Sequence, residues 1–334
     1  MARQVRIEFP GAFYHVMCRG DHQEEIFRND KDRKRFLETL GEACGKTGWR
    51  VHAYVLMGNH YHLLLETPEP NLVAGMQWFQ GTYTKRFNSR HKLLGHLFQG
   101  RYKALNVEEG GSYFETVATY IHLNPVRARL VGAEAGMLKE FSWGSFPFYL
   151  ARPNRRPAWL VTGLVLAEAG CGCDDARARR KFESWMDVRA LECVGGADEV
   201  ELAWRKLRRG WYLGGDTFRE KLVNLIGDKA PLRKRESFGG EAIATHDEAA
   251  ATAWLERATF KVGGGLSEVQ ARPKGCMEKQ VLAWWLRCNT TMSREWISER
   301  LVMGHPSRVT KAVAFVGSNE GREVVRLRKL VTTK

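Results

Sequence analysis

Two apolar runs broken by a pair of small residues constrain the fold more than any other feature of this chain. Residues 49–57, from Trp49 to Met57, and residues 61–66, from Tyr61 to Glu66, read as strands; Gly58-Asn59 between them suits a tight turn or a bulge. Residues 3–19 read as an earlier strand region, in which Phe13, His15 and Met17 alternate with Tyr14, Val16 and Cys18 before Gly20-Asp21. Residues 30–47 place Phe36, Leu37, Leu40 and Ala43-Cys44 at helical spacing behind Asp30 or Asp32 as cap. Residues 71–90 read as a helix from Asn71, residues 97–107 as extended, and residues 112–123 as a helix with Ser112 and Glu115 at capping-box spacing. Pro125 ends or kinks that helix. This alternation predicts an α+β sandwich, with helices on one face of a small antiparallel sheet.

Beyond residue 150 the pattern is mostly helical. Residues 151–157 hold Pro153, Pro157, Arg152, Arg155 and Arg156 and read as a linker. The expected domains are residues 1–150, a helical accessory region over 151–260, and residues 261–334. The net charge of +14 favours a polyanionic partner, most often nucleic acid. Residues 1–150 hold 19 Lys and Arg against 15 Asp and Glu, leaving 33 against 23 for the rest, so the larger excess is C-terminal. No apolar run approaches the roughly 18 residues of a membrane helix, and Met1 to Arg6 lack a signal peptide's apolar stretch. Scattered cysteines, seven in number, fit a reducing cytoplasm, and a nucleic-acid partner there would place the chain near the nucleoid; Cys171 and Cys173 alone are a weak zinc signal.

His60 and His62 are two apart on a strand, which puts both imidazoles on one face roughly 7 Å apart. Imidazole at that separation can converge on one divalent cation. Tyr120 ends a predicted helix, and Asn124, four residues on, faces the same way. A phenol can attack phosphorus, and an amide oxygen suits a hard cation. Taken singly, a chance His-x-His and a core tyrosine explain these residues as well.

Their combination resembles a known family. The segment from Met57 through His60, Tyr61 and His62 to Leu64 resembles the histidine-hydrophobic-histidine motif of HUH endonucleases. The segment Tyr120 to Ala128 resembles the nucleophile helix of the single-tyrosine branch. Gly11 to Val16 with Arg19-Gly20 and Ile26-Phe27, and Phe98 to Ala104, resemble its opening and last strands. The nearest kinship is with REP-associated tyrosine transposases. Gly58 stands where that family usually has proline, and Cys18 where it often has asparagine. The resemblance covers residues 3–150 and implies a ferredoxin-like or RRM-like core. It implies Tyr120 as nucleophile, His60, His62 and Asn124 as ligands of a divalent metal (Mg or Mn), and single-stranded or hairpin DNA as substrate. The reaction implied leaves a 5′-phosphotyrosine and a free 3′-hydroxyl. Some relatives exchange the nucleophile helix between subunits, so the implied state is monomer or homodimer.

Arg101, Lys103 and Arg127 are candidate phosphate contacts, Glu66 a candidate neighbour of the His pair, and His122 reads as structural. Residues 204–222, beginning Trp204-Arg205-Lys206, mix basic and aromatic residues in a way that suits single strands or a packed basic helix. Residues 293–316 read as a helix-turn-helix about Met303-Gly304, supported by residues 279–287. Ser307, Arg308, Thr310 and Lys311 then begin a recognition helix that meets double-stranded DNA. Two other functions compete: an inert DNA-binding regulator, and a zinc hydrolase, which lacks an obvious carboxylate base beside the His pair.

Overall fold

A computed structural model describes residues 3–4, 6–110, 112–132, 137–195, 210–229, 238–239, 241–290 and 292–332. The chain forms two compact units, Arg6–Lys221 and Leu222–Lys334 together with Met1–Val5. The sequence boundaries drawn at 150 and 260 fall inside these units.

The first unit is built on the sequence β2 (Ala12–Arg19), α1 (Asp30–Thr47), β3 (Arg50–Leu56), β4 (His60–Thr67), α2 (Leu72–His91) and β5 (Lys103–Val107). Spatial order is β3-β4-β2-β5, all antiparallel neighbours. This is the βαββαβ arrangement of a ferredoxin-like core. A fifth strand, β6 (Tyr212–Leu213), adds parallel to β5.

Local signals place these elements where the sequence puts them. Asn29 caps α1 by accepting from Lys31 N–H, and Gly48 ends it in the left-handed conformation at φ +74°. The turn at Gly58-Asn59 is a true hairpin connection, with Met57 N–H donating to His60 O. The sheet's irregularity lies instead between Val51 and Ala53.

Strands β2 and β4 are buried along nearly their whole length, so both faces of the sheet need cover. On one face Tyr14, Val16, Tyr61, Leu63 and Leu65 pack with Phe36 and Leu40 of α1 and Met76, Phe79 and Tyr83 of α2. The sequence reading, helices on one face, describes α1 and α2 only. The opposite face carries Phe13, Ala53, Val55, Leu64, Leu105 and Val107, and α3 (Ser112–His122) covers it with Phe114, Val117 and Ile121. Such an apolar second face left in water would forfeit about 2 kcal/mol per large side chain.

Four further helices follow α3: α4 (Asn124–Arg127), α5 (Phe146–Leu150), α6 (Gly163–Glu168) and α7 (Ala176–Gly195). Their residues Phe146, Tyr149, Val165, Leu166, Phe182 and Met186 join the same core. The segment read as a linker is therefore tied down. Arg156 pairs with Asp174 and donates to Phe148 O, Ala151 O and Thr162 Oγ1.

Helix α8 (Asp216–Lys229) spans the division between the units. The second unit contains α9 (Glu241–Lys261), α10 (Leu266–Ala271), α11 (Met277–Asn289), α12 (Arg294–Arg300), α13 (Ser307–Ser318) and α14 (Arg322–Thr332). Two short strands, β1 (Arg3–Gln4) and β7 (Phe238–Gly239), pair in parallel beside them. Its core holds Leu255, Val281, Leu286, Ile297, Leu301, Val309, Ala312, Val316 and Leu327. Buried Lys279 donates to the carbonyls of Gln270 and Arg272, closing the open end of α10. No helix among the described residues is long and apolar enough to cross a membrane.

Candidate functional site

Strand register assembles the site. Paired residues of antiparallel neighbours share a face. His62 lies opposite Met17 and His60 opposite Arg19 on β2, while Met17 also faces Lys103 on β5. Helix α3 crosses this face and ends there. Leu123 breaks from it at φ −85°, ψ −1°, and α4 begins at Asn124-Pro125, where proline needs no N–H partner.

Tyr120 and Asn124 thus line one cavity with His60 and His62, together with Met17, Cys18, Arg19, Gln99, Arg101, Lys103 and Arg127. Its volume is about 480 Å³. The rings of His60 and His62 stand 5.3 Å apart between centroids. The Tyr120 ring meets His62 edge-on at 5.6 Å, and the Arg127 guanidinium lies 5.1 Å from its centre. Asn124 Nδ2 donates to Tyr120 O at 2.8 Å, so Oδ1 is the atom that could accept or ligate.

Both histidines are held neutral. Burial, then the Arg19 charge, brings His60 down to about 4. Burial, then neighbouring His15, His60, Arg127 and Arg19, holds His62 well below the usual imidazole range. Neutral imidazole is the metal-binding form. His60 Nδ1 donates to Asn59 Oδ1 at 2.7 Å, which leaves its Nε2 lone pair open. The turn that carries it is pinned, with Gly20 N–H donating to Asn59 O and Ile26 N–H to Gly58 O. Two imidazole nitrogens and one amide oxygen fit a divalent cation that draws its remaining ligands from substrate or water. Among the described residues no group of three or more His, Cys, Asp or Glu is arranged to hold a metal.

Arg101, Lys103 and Arg127 line the cavity, as the sequence placed them. Glu66 does not. It sits at the other end of β4, bonded to Arg50 and His52, because four strand residues carry it roughly 13 Å from His62. His122 turns away from the cavity toward Ser145 Oγ at 2.8 Å, within a buried group that includes Tyr149. Trp204 to Arg209 lie outside the described residues, and Trp211 is buried next to β6 rather than presented for stacking. Sequence reasoning missed His15, Arg19 and Gln99. Alternation along β2 was the signal for the first two, since residues 13, 15, 17 and 19 share one face.

Four cations, no described carboxylate and a single phenol at the end of a helix line this cavity on a ferredoxin-like sheet. Residues 9–124, the segment that builds the sheet and brings the His pair, Tyr120 and Asn124 together, match the family described as "Transposase IS200 like". Among solved structures, that of a REP-associated tyrosine transposase bound to a REP hairpin shares 14% identity with this chain. The alignment spans 49% of this chain and 93% of that one, with a TM-score of 0.39. None of the curated proteins compared matches the chain.

Burial also makes the first unit acid-sensitive. His122 is held down to about 3 by burial alone. Below the ordinary imidazole pKa near 6.5 the unfolded chain takes up a proton that the folded chain refuses. Stability is therefore undiminished above pH 6.5 and falls as pH drops, by about 2–3 kcal/mol at pH 4.5 from this residue. Thermal melts are expected to show a falling midpoint over that window; a midpoint constant from pH 7 to 4.5 would contradict the assignment.

Proposed function

We propose that the protein is a metal-dependent single-stranded DNA endonuclease and strand transferase that works through a 5′-phosphotyrosine on Tyr120. The observation that supports this reading best is Tyr120 sharing one cation-lined cavity with His60, His62 and Asn124. Arg19, Arg101, Lys103 and Arg127 seat the DNA backbone by charge-assisted bonds to its phosphates. The Tyr120 oxygen bonds to phosphorus as the bond from phosphorus to the 3′-oxygen breaks. The proton given up by the phenol is balanced by the one the leaving 3′-oxygen takes up. A later attack by a 3′-hydroxyl reverses these steps and joins strands, so bond energy is kept and no nucleotide cofactor is needed. His60, His62 and Asn124 would hold a divalent ion, Mg or Mn, which supplies charge stabilisation at the phosphate oxygens. End-labelled single-stranded DNA carrying hairpins, incubated with protein and Mn²⁺, tests this. A labelled adduct that survives denaturation and disappears with chelator is the expected result; cleavage without any adduct would refute it.

The second unit is read as the part that meets double-stranded DNA. Helix α13 buries Val309, Ala312 and Val316 while Ser307, Arg308, Thr310 and Lys311 at its start are exposed. The connection from α12 includes Gly304 at φ +89°, a conformation open to glycine at little cost. Replacing Arg308 and Lys311 together by alanine is expected to weaken duplex binding about tenfold or more and to lower the salt slope by about two. An unchanged salt slope would remove this unit from duplex recognition.

A further inference from the structure

One imidazole packed behind the cavity lining has no part in the chemistry above. His15 on β2 is fully buried, and its Nε2 lies 2.9 Å from Nδ1 of His62. The two rings stack at 5.1 Å, with 25° between their planes. The other nitrogen of His15, Nδ1, is buried with no hydrogen-bond partner among the described residues. We propose that His15 is a positioning residue for the metal, which aims His62 Nε2 at the cavity and sets which nitrogen of His62 bears the proton. This rests on the reading of His60, His62 and Asn124 as metal ligands.

A neutral imidazole has one N–H and one lone pair, and only the lone pair ligates. For His60 the arrangement is fixed, because Asn59 Oδ1 can only accept, and Asn59 is itself anchored by donating to Gln23 O at 3.0 Å. His62 differs, since its partner is a second imidazole. If His15 Nε2–H donates to His62 Nδ1, the His62 proton sits on Nε2 and the ligating position is blocked. If His62 Nδ1–H donates to His15 Nε2, the Nε2 lone pair opens. The His15 proton then sits on its Nδ1, which has no acceptor among the described residues. Metal binding selects this second arrangement at the cost of one unpaired buried N–H. The exchange moves protons within the pair and adds none. His60 and His62 therefore differ in kind. The first is a ligand ready at all times, and the second opens only when a cation rewards the exchange.

Two variants of the full chain separate this role from simple packing. His15→Phe keeps a stacked ring and removes the acceptor. His15→Gln places an amide oxygen about where Nε2 stood. Mn²⁺ affinity, read from the paramagnetic resonance of free Mn²⁺ in the presence of a single-stranded oligonucleotide, is expected to fall about 10–100-fold in His15→Phe and to recover largely in His15→Gln. Thermal melts confirm that each variant is folded. Nitrogen-15 shifts of the parent need no variant: His62 is expected to be protonated at Nε2 alone and at Nδ1 with Mg²⁺. A folded His15→Phe that binds Mn²⁺ like the parent overturns the proposal, as does a His62 whose protonated nitrogen never changes. A parent with no Mn²⁺ binding that His60→Ala abolishes would bring down the metal-site reading itself, a distinct outcome.

Discussion

Replacing Tyr120 by phenylalanine is expected to leave the fold intact, abolish the covalent DNA adduct and lower strand cleavage by about 10⁴-fold or more. The ring is buried and packs edge-on against His15 and His62, each at 5.6 Å, beneath Arg127. All of these contacts survive in phenylalanine, so the melting midpoint should stay within a few degrees of the parent. What disappears is the oxygen. No other described group in the cavity wall replaces it. Cys18 lines the same cavity, but burial pushes its thiol up, away from the thiolate that would be the nucleophile. A denaturing gel with end-labelled DNA and Mn²⁺ gives the answer. A phenylalanine variant that cleaves within tenfold of the parent would show that Tyr120 is not the attacking group.

The ferredoxin-like half was legible because its signals are local. The runs around Gly58-Asn59, the stripe of Phe36 and Leu40, and the Ser112 and Glu115 pair each lie within a few residues of one another. The sheet's second face was not legible. Phe13, Leu105 and Val107 announce an apolar surface, yet the residues that cover it reach as far as Phe182 and Met186. Pairing of β5 with β6 joins Asn106 to Tyr212 across the chain, and two residues of strand carry no periodicity to read. Arg156 was misread for a related reason. Its prolines and arginines look solvated until Asp174 arrives from a later turn to pair with it. At the site, His60, His62 and Tyr120 were singled out by the likeness of their segments to a family's motifs, and the fold brings them to one cavity. His15 needed the register that sets β2 beside β4, which no single run of sequence fixes. Glu66 shows the converse: the face was right, and strand rise set it too far away.

Divalent metal is expected to bind weakly to the free protein and about 5–150-fold more tightly with single-stranded DNA present, a range typical of coupled sites. The reason lies in charge. The proposed donors His60, His62 and Asn124 are all neutral, with both imidazoles held below their ordinary range by burial. The wall around them adds Arg19, Arg101, Lys103 and Arg127, and the described lining includes no carboxylate. A dication entering such a cavity meets repulsion that no described residue of the lining offsets. A phosphodiester brings the missing negative charge and oxygens to complete the coordination. By linkage, the metal must then tighten DNA by the same factor. Measurement in the Tyr120→Phe background keeps the DNA intact while Mn²⁺ is titrated with and without oligonucleotide. His60→Ala is expected to lower Mn²⁺ affinity by at least about tenfold and to erase the mutual tightening, leaving metal-free DNA affinity near that of the parent because the four cations remain. Equal Mn²⁺ affinity with and without DNA would mean that the negative charge comes from the protein itself. The ligand set would then have to include a carboxylate in place of the substrate oxygens.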